Sequence, residues 1–512
     1  MAHTLKQCTP RRNQPPASGR PASIQLTAQD QEVICQALTD YHRLFQNCFY
    51  RREQRHWSAL YLCGQLSKVE RKTIEPMLLE LLGPDRNVVR AVQEFIGAGQ
   101  WEATKLIRRH QELVARSLGH PRGVVIVDGS GFPKQGAHSA GVARQYCGML
   151  GKVANCQEGV FVVYHSPQGY TFLNGRLYLP EEWFDHDHRT HWQVCGIPDD
   201  TPFRTEPELA LEMVRDLVVR DVLPFQWVTC DEHFGQNPGF LDGLAALGKW
   251  YFAEVPSNTR AWLHTPGVEP AGPGLLGRPR VRARVKLDAP PAQELRELAA
   301  RLPQTKWQRL TIQEGSKGPM VADFAWLRVT TVRNRLPGPR VWAIFRRSLS
   351  TPTETKYYLS NAPVGLAPHT MADLSGQRWP VETIFEEAKG EVGMDHYETR
   401  TWVGWHHHMA QTFLAHHFLM QVRAQLKKVT GLDHGSSTTT GRSDHRQREV
   451  SVGSPRPHRV SSAAKLCSLS VASQAHCAAP SETRFKTETV KSLVVMKVGS
   501  SGLSGIIANS SR

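Results

Sequence analysis

At 512 residues, with 40% hydrophobic and 21% charged content, the sequence is long enough for two or three globular domains. It contains no run of about 18 apolar residues, and the basic, proline-rich stretch Met1 to Arg20 has no hydrophobic segment behind it, so we expect no membrane span, no signal peptide and a cytoplasmic protein. The formal net charge of +15 suits a polyanionic partner without requiring one.

In chain order, residues 1–25 read as a disordered basic arm. Residues 26–120 carry apolar side chains at three-to-four spacing, such as Ile34, Leu38, Tyr41 and Phe45, and read as a helical N-terminal domain suited to DNA binding. The texture changes at Gly123. Val124 to Val127 is a β-branched run ending in Asp128; Gly159 to Tyr164 and Tyr170 to Leu173 read as strands joined by the turn Pro167-Gln-Gly169. A helix from Pro207 to Arg220, a strand from Phe225 to Cys230 ending in Asp231, a helix from Gly239 to Leu247 and a strand from Trp250 to Val255 follow. This order predicts an α/β fold, a mixed sheet with flanking helices, over 121–255.

Residues 256–368 read as a β-rich insertion, with one helix near Ala292 to Arg301 and strand-like runs at Trp307–Ile312, Phe324–Val332, Val341–Phe345 and Lys356–Leu359. Helical pattern returns over 369–430, at Val381 to Gly390 and Gly404 to Lys428. Residues 431–512 turn to Ser, Thr, Arg, His and Gly without periodicity and read as a low-complexity or frameshifted tail. The ten cysteines include no C-x-x-C pair and no zinc-finger array, which predicts reduced thiols.

Two carboxylates sit at the ends of separate buried-type strands, Asp128 in Val127-Asp-Gly-Ser-Gly131 and Asp231 in Cys230-Asp-Glu-His-Phe-Gly235. Strand ends that are neighbours in a sheet converge on one rim, so the pair is placed to share a cation. Pro380 predicts the start of a helix that puts Glu382, Glu386 and Lys389 on one side and Ile384 on the other. Glu386 and Glu387 rival Glu382 as a third ligand; Glu232 reads as a turn or capping residue. His406-His-His408 and His416-His417 lack chelating i, i+4 spacing for zinc. Lys134, Arg144 and Lys152 are cations placed to track a DNA backbone.

These residues resemble the DDE-type insertion-sequence transposases, in the branch marked by Tyr-x2-Arg-x3-Glu-x6-Lys. Arg378, Glu382 and Lys389 fit that spacing, while Ser375 stands at the tyrosine position. Asp128-Gly-Ser-Gly-Phe-Pro-Lys-Gln-Gly136, Ala143-Arg-Gln-Tyr-Cys-Gly148, Gly151-Lys-Val-Ala-Asn-Cys-Gln157, Asp231-Glu-His-Phe-Gly235, Gly393-Met-Asp-His-Tyr-Glu398 and Gly404-Trp-His-His-His408 extend the likeness from Phe49 to Lys428. The resemblance implies an RNase H-like fold with a β-rich insertion before the last catalytic helix. It also implies a catalytic triad of Asp128, Asp231 and Glu382 holding two Mg²⁺ or Mn²⁺ ions, and Arg378 and Lys389 placed on phosphate. The implied partners are the element's terminal repeats and target DNA, engaged by a homodimer at the nucleoid. A transposase relic that only binds DNA, and a nuclease without strand transfer, are the alternative readings.

Overall fold

A computed structural model describes residues 28–272, 281–315, 318–349, 354–378 and 380–430. The basic arm at 1–25 and the tail at 431–512 lie outside the described residues. Five helices come first: α1 (Ala28–Arg43), α2 (Arg52–Gln65), α3 (Ile74–Leu82), α4 (Arg86–Gly97) and α5 (Ala103–Leu118). Ile34, Leu38 and Tyr41 are buried on one side of α1, as their spacing predicts, and Phe45 is buried just past its end.

The sheet then begins with β1 (Val124–Pro133), β2 (Ala143–Cys147), β3 (Lys152–Ser166) and β4 (Gly169–Leu177). β1 does not end at Asp128 as its sequence suggests. The Gly129-Ser-Gly131 run stays extended because β3 offers it an unbroken antiparallel ladder, Asp128 facing Phe161 and Pro133 facing Cys156. Next come α6 (His186–Cys195), α7 (Glu206–Arg220), β5 (Trp227–Cys230), the short α8 (Glu232–Gly235), α9 (Pro238–Ala246) and β6 (Trp250–Val255). Thr205 and Glu208 form a reciprocal capping box at the start of α7. The short strand β2 and helix α6 are not evident in the sequence pattern.

The insertion supplies β7 (Arg260–Trp262), β8 (Val268–Glu269), β9 (Arg284–Val285), β10 (Gln293–Glu294), α10 (Leu295–Ala300), β11 (Gln308–Gly315), β12 (Gly318–Arg333), β13 (Leu336–Ser348) and β14 (Thr355–Ser360). Three helices close the described chain: α11 (Pro368–Gln377), α12 (Pro380–Val392) and α13 (Trp402–Thr430).

Twelve of these strands form one mixed sheet. Its central part runs β4-β3-β1-β5-β6, with β3 antiparallel to β1 and both β5 and β6 parallel in register with it. This is the mixed sheet with flanking helices expected from the sequence. The insertion is a continuation of that sheet, because β14 pairs antiparallel with β6, setting Tyr358 opposite Glu254.

Both faces of the sheet are covered. Val124, Ile126, Phe161 and Phe172 join a cluster with residues of α12 and α13, while Val125, Val127, Val160 and Val162 join another with α7 and α9. Close approach of α13 depends on Gly175 in β4, where a Cβ would lie 2.6 Å from the Phe161 ring and 2.9 Å from that of Phe413.

Candidate active site

Strand alternation decides where the carboxylates point. Ile126 in β1, Trp227 in β5 and Phe252 in β6 face the α12–α13 side, whereas Val127, Cys230 and Ala253 face the other. Val127 is level with Cys230, and Cys230 with Ala253. One residue further along, Asp128, Asp231 and Glu254 therefore form a row across three parallel strands on the α12 side. Asp231 keeps the extended conformation (φ −80°, ψ −176°) and caps α8 by accepting a hydrogen bond from the Phe234 amide at 3.3 Å. α8 can lie flat on β6 because Gly235 has no side chain: a Cβ there would sit 1.9 Å from the Glu254 carbonyl oxygen.

Glu382 enters from the facing helix, exposed in the first turn of α12. Arg378, just before that helix, turns its guanidinium into the carboxylate row. Its Nη1 is 3.5 Å from Asp128 Oδ2 and its Nε 3.7 Å from Glu254 Oε2. Glu254, on a side chain only 9% exposed, also takes Lys356 Nζ at 2.8 Å. Glu254 is not among the residues that the sequence motifs single out, although a lone carboxylate within Trp250-Tyr-Phe-Ala-Glu-Val255 is the signal that marks it. Ser375, Tyr358, Glu254 and Arg378 line one small cavity.

The electrostatics follow from this crowding. Burial, then the charge of Asp231, pushes Asp128 up to about 7, against Arg378 and the Gly129 amide, which hold it down; Glu382 adds a further upward push. Burial also raises Asp231, opposed by Arg378 and the Phe234 amide. Beside them Glu158 of β3 is pushed up to about 8, by burial first and by Glu206 second. His233 Nε2 lies 3.3 Å from Glu206 Oε2. Among the described residues, no three His, Cys, Asp or Glu side chains are grouped closely enough to hold a metal ion. Asp128, Asp231 and Glu382 nevertheless fit a hard divalent cation by donor chemistry, since all three offer carboxylate oxygens and the first two repel each other in its absence.

The other candidates fall into place around the row. Glu386 is exposed, whereas Glu387 is buried and bonded to Arg423 Nη1 at 2.6 Å and to the Tyr170 hydroxyl at 3.2 Å. Glu232 begins α8. Lys389 places its ammonium 3.5 Å from Met149 Sδ and over the Phe132 ring. Arg144 and Lys152 are exposed on the β2–β3 hairpin. Lys134 is turned inward, its ammonium 3.5 Å from the Tyr397 ring centre, and burial lowers it to about 8. His407 and His408 direct ring nitrogens at backbone carbonyls, of Ile96 and Trp101 and of Met394, while His416 and His417 bond to hydroxyls of Thr171, Tyr41 and Ser117.

A carboxylate row across a mixed sheet, faced by an acidic helix, gathers hard oxygen donors in one place. The sequence model of the DDE superfamily endonucleases matches residues 44–319, a span that includes Asp128 and Asp231 and stops before Glu382. The chain belongs to the DDE superfamily of endonucleases. Among curated proteins it is 24% identical over 336 residues to a probable transposase for insertion sequence element IS701 from Microchaete diplosiphon, covering 64% of this chain and 73% of that protein. Among solved structures it is similar to the piggyBac transposase in a cryo-EM synaptic complex with hairpin DNA, at 10% identity and a TM-score of 0.28, covering 82% of this chain and 77% of that one. So loose a superposition adds nothing to the fold described above. No helix among the described residues is long and apolar enough to cross a membrane.

Proposed function

We propose that this protein is the transposase of an insertion sequence, cutting DNA at the element's ends and joining the freed ends to target DNA. The observation that carries the reading is the register that sets Asp128 and Asp231 side by side on one face of the sheet, with α12 and Glu382 on that same face. The IS701 likeness supports the substrate class.

In this reading Asp128, Asp231 and Glu382 hold two Mg²⁺ or Mn²⁺ ions. Such ions supply a nucleophilic oxygen at neutral pH and charge neutralisation on the leaving oxygen. The chain's own part is to fix the donors. Buried strands β1 and β5 hold the two aspartates rigidly, and Pro380 starts the helix that presents Glu382. Arg378 and Lys389 hold the scissile phosphate, and Arg144 and Lys152 track the flanking backbone. Lys134 is left out of that set because its ammonium is engaged on Tyr397. The protein acts on DNA at the nucleoid, two copies holding two ends.

The test is cleavage of DNA carrying the element's terminal repeats, with Mg²⁺ or Mn²⁺. We expect nicked and joined products from the unaltered protein, and a loss of at least about a hundredfold in rate for Asp128→Asn and Asp231→Asn. Chelation of the metal gives the same loss. Nicking that survives either substitution at full rate refutes the triad. Cuts without joined products identify a nuclease that does not transfer strands.

A further inference from the structure

The described site holds its own cation. Arg378 is 23% exposed, and its guanidinium reaches both ends of the carboxylate row, Asp128 at 3.5 Å and Glu254 at 3.7 Å. The charges acting on it, in descending order, are those of Asp128, Glu254, Asp231 and Glu382. Three of these four are the carboxylates assigned above to metal. Neutralising buried carboxylates is work that one cation can do at a time: an arriving divalent ion must either displace the guanidinium from Asp128 or share the site with a like charge a few ångströms away. The fourth carboxylate, Glu254, lies outside the proposed ligand set and gives Arg378 a second anchor.

We propose that Arg378 is a built-in counter-cation that keeps the Asp128–Asp231 pair from loading metal in the free protein, and that Glu254 is the positioning residue that retains the guanidinium when Asp128 is taken. DNA completes the exchange. A phosphate brought to the site offers Arg378 a bidentate anionic partner, so the guanidinium turns from Asp128 to the phosphate and the aspartates become free to hold the ion. Metal loading is thereby coupled to DNA binding, which restrains hydrolysis away from substrate. The inference rests on the reading of Asp128 and Asp231 as metal ligands.

The experiment is Mn²⁺ binding to the full chain without turnover, by titration calorimetry and by the paramagnetic resonance signal of free Mn²⁺. It is run with and without a short blunt DNA duplex in Ca²⁺-free buffer. The unaltered protein alone should bind Mn²⁺ weakly, and the duplex should tighten binding at least about tenfold. Arg378→Gln alone should bind at least about tenfold more tightly than the unaltered protein, with little further gain from the duplex. Because this variant leaves buried carboxylates unpaired, it should also melt at a lower temperature, and Mn²⁺ should restore much of that loss while moving the unaltered protein far less. Asp128→Asn combined with Arg378→Gln should abolish the gain. If Arg378→Gln binds Mn²⁺ no more tightly than the unaltered protein while Asp128→Asn still removes binding, the counter-cation role is overturned and the metal site stands. If Asp128→Asn leaves Mn²⁺ binding intact in both backgrounds, the metal-ligand reading falls and the inference with it.

Discussion

Glu382 and Glu387 belong to the same helix, and five residues of α-helix turn them about 140° apart. That rotation puts Glu382 in solvent beside the carboxylate row and Glu387 in the interior, where Arg423, Tyr170 and His416 surround it. Burial works to raise the Glu387 carboxyl, but His416 and Arg423 together hold it below the usual range, so it is ionised and paired. Glu387→Ala leaves the Arg423 charge without its partner and should cost roughly 3 kcal/mol of stability, measurable by denaturant unfolding. Glu382→Gln should leave unfolding within about 0.5 kcal/mol of the parent, because an exposed side chain away from such a network contributes little, yet abolish cleavage. A Glu382→Gln variant that cleaves normally would shift attention to Glu386.

At the scale of elements, α13 carries an unusual interior. His408 accepts from the Tyr61 hydroxyl through Nδ1 at 2.7 Å and donates through Nε2 to the Met394 carbonyl at 3.0 Å, a pairing that requires the neutral ring. Facing helices add His110, bonded to the Phe172 carbonyl, and His42, bonded to Ser58. Burial lowers all three rings from 6.5 to about 4. The sign follows directly: between pH 6.5 and 4 the unfolded chain binds protons that the folded chain refuses, so stability rises with pH in that window. The contribution is full above pH 6.5 and is lost as the pH falls towards 4, at roughly 1.4 kcal/mol per pH unit for each histidine. Melting temperature should therefore drop steeply from pH 6.5 to 4.5, and His408→Gln should flatten that drop. An equally steep profile in the variant would assign the acid lability to other groups.

Across the whole molecule, the insertion is built into the central sheet instead of hanging from it. The β14–β6 pairing brings Lys356 and Tyr358 to Glu254, so the far half of the sheet helps fix the anchor of Arg378. The net charge of +15 predicts that affinity for duplex DNA falls steeply with salt. If Arg144 and Lys152 each neutralise one phosphate, the double variant Arg144→Gln, Lys152→Gln should reduce the slope of log K against log salt by about 2. An unchanged slope would remove the β2–β3 hairpin from the interface.

The sequence by itself determined the pieces whose signal is local. Apolar periodicity marked residues 26–120 as helical and located α7 and α13; apolar runs located β5 and β6; Pro380 marked the start of α12. Asp128 and Asp231 were legible because each stands just after a buried apolar run, although β1 continues past Asp128, and a strand's alternation is written in its own residues. Pairing across the sheet was not legible, because a ladder partner lies tens of residues away. Only the tertiary structure decided that β1 runs on to Pro133, that β14 extends the sheet from β6, and that Glu254 joins the row. It also decided which cations face solvent: Arg144 and Lys152 do, while Lys134 lies on Tyr397 and Arg378 is held among carboxylates. A charged side chain's surroundings are set by what folds against it, and that is a property of the whole packed chain.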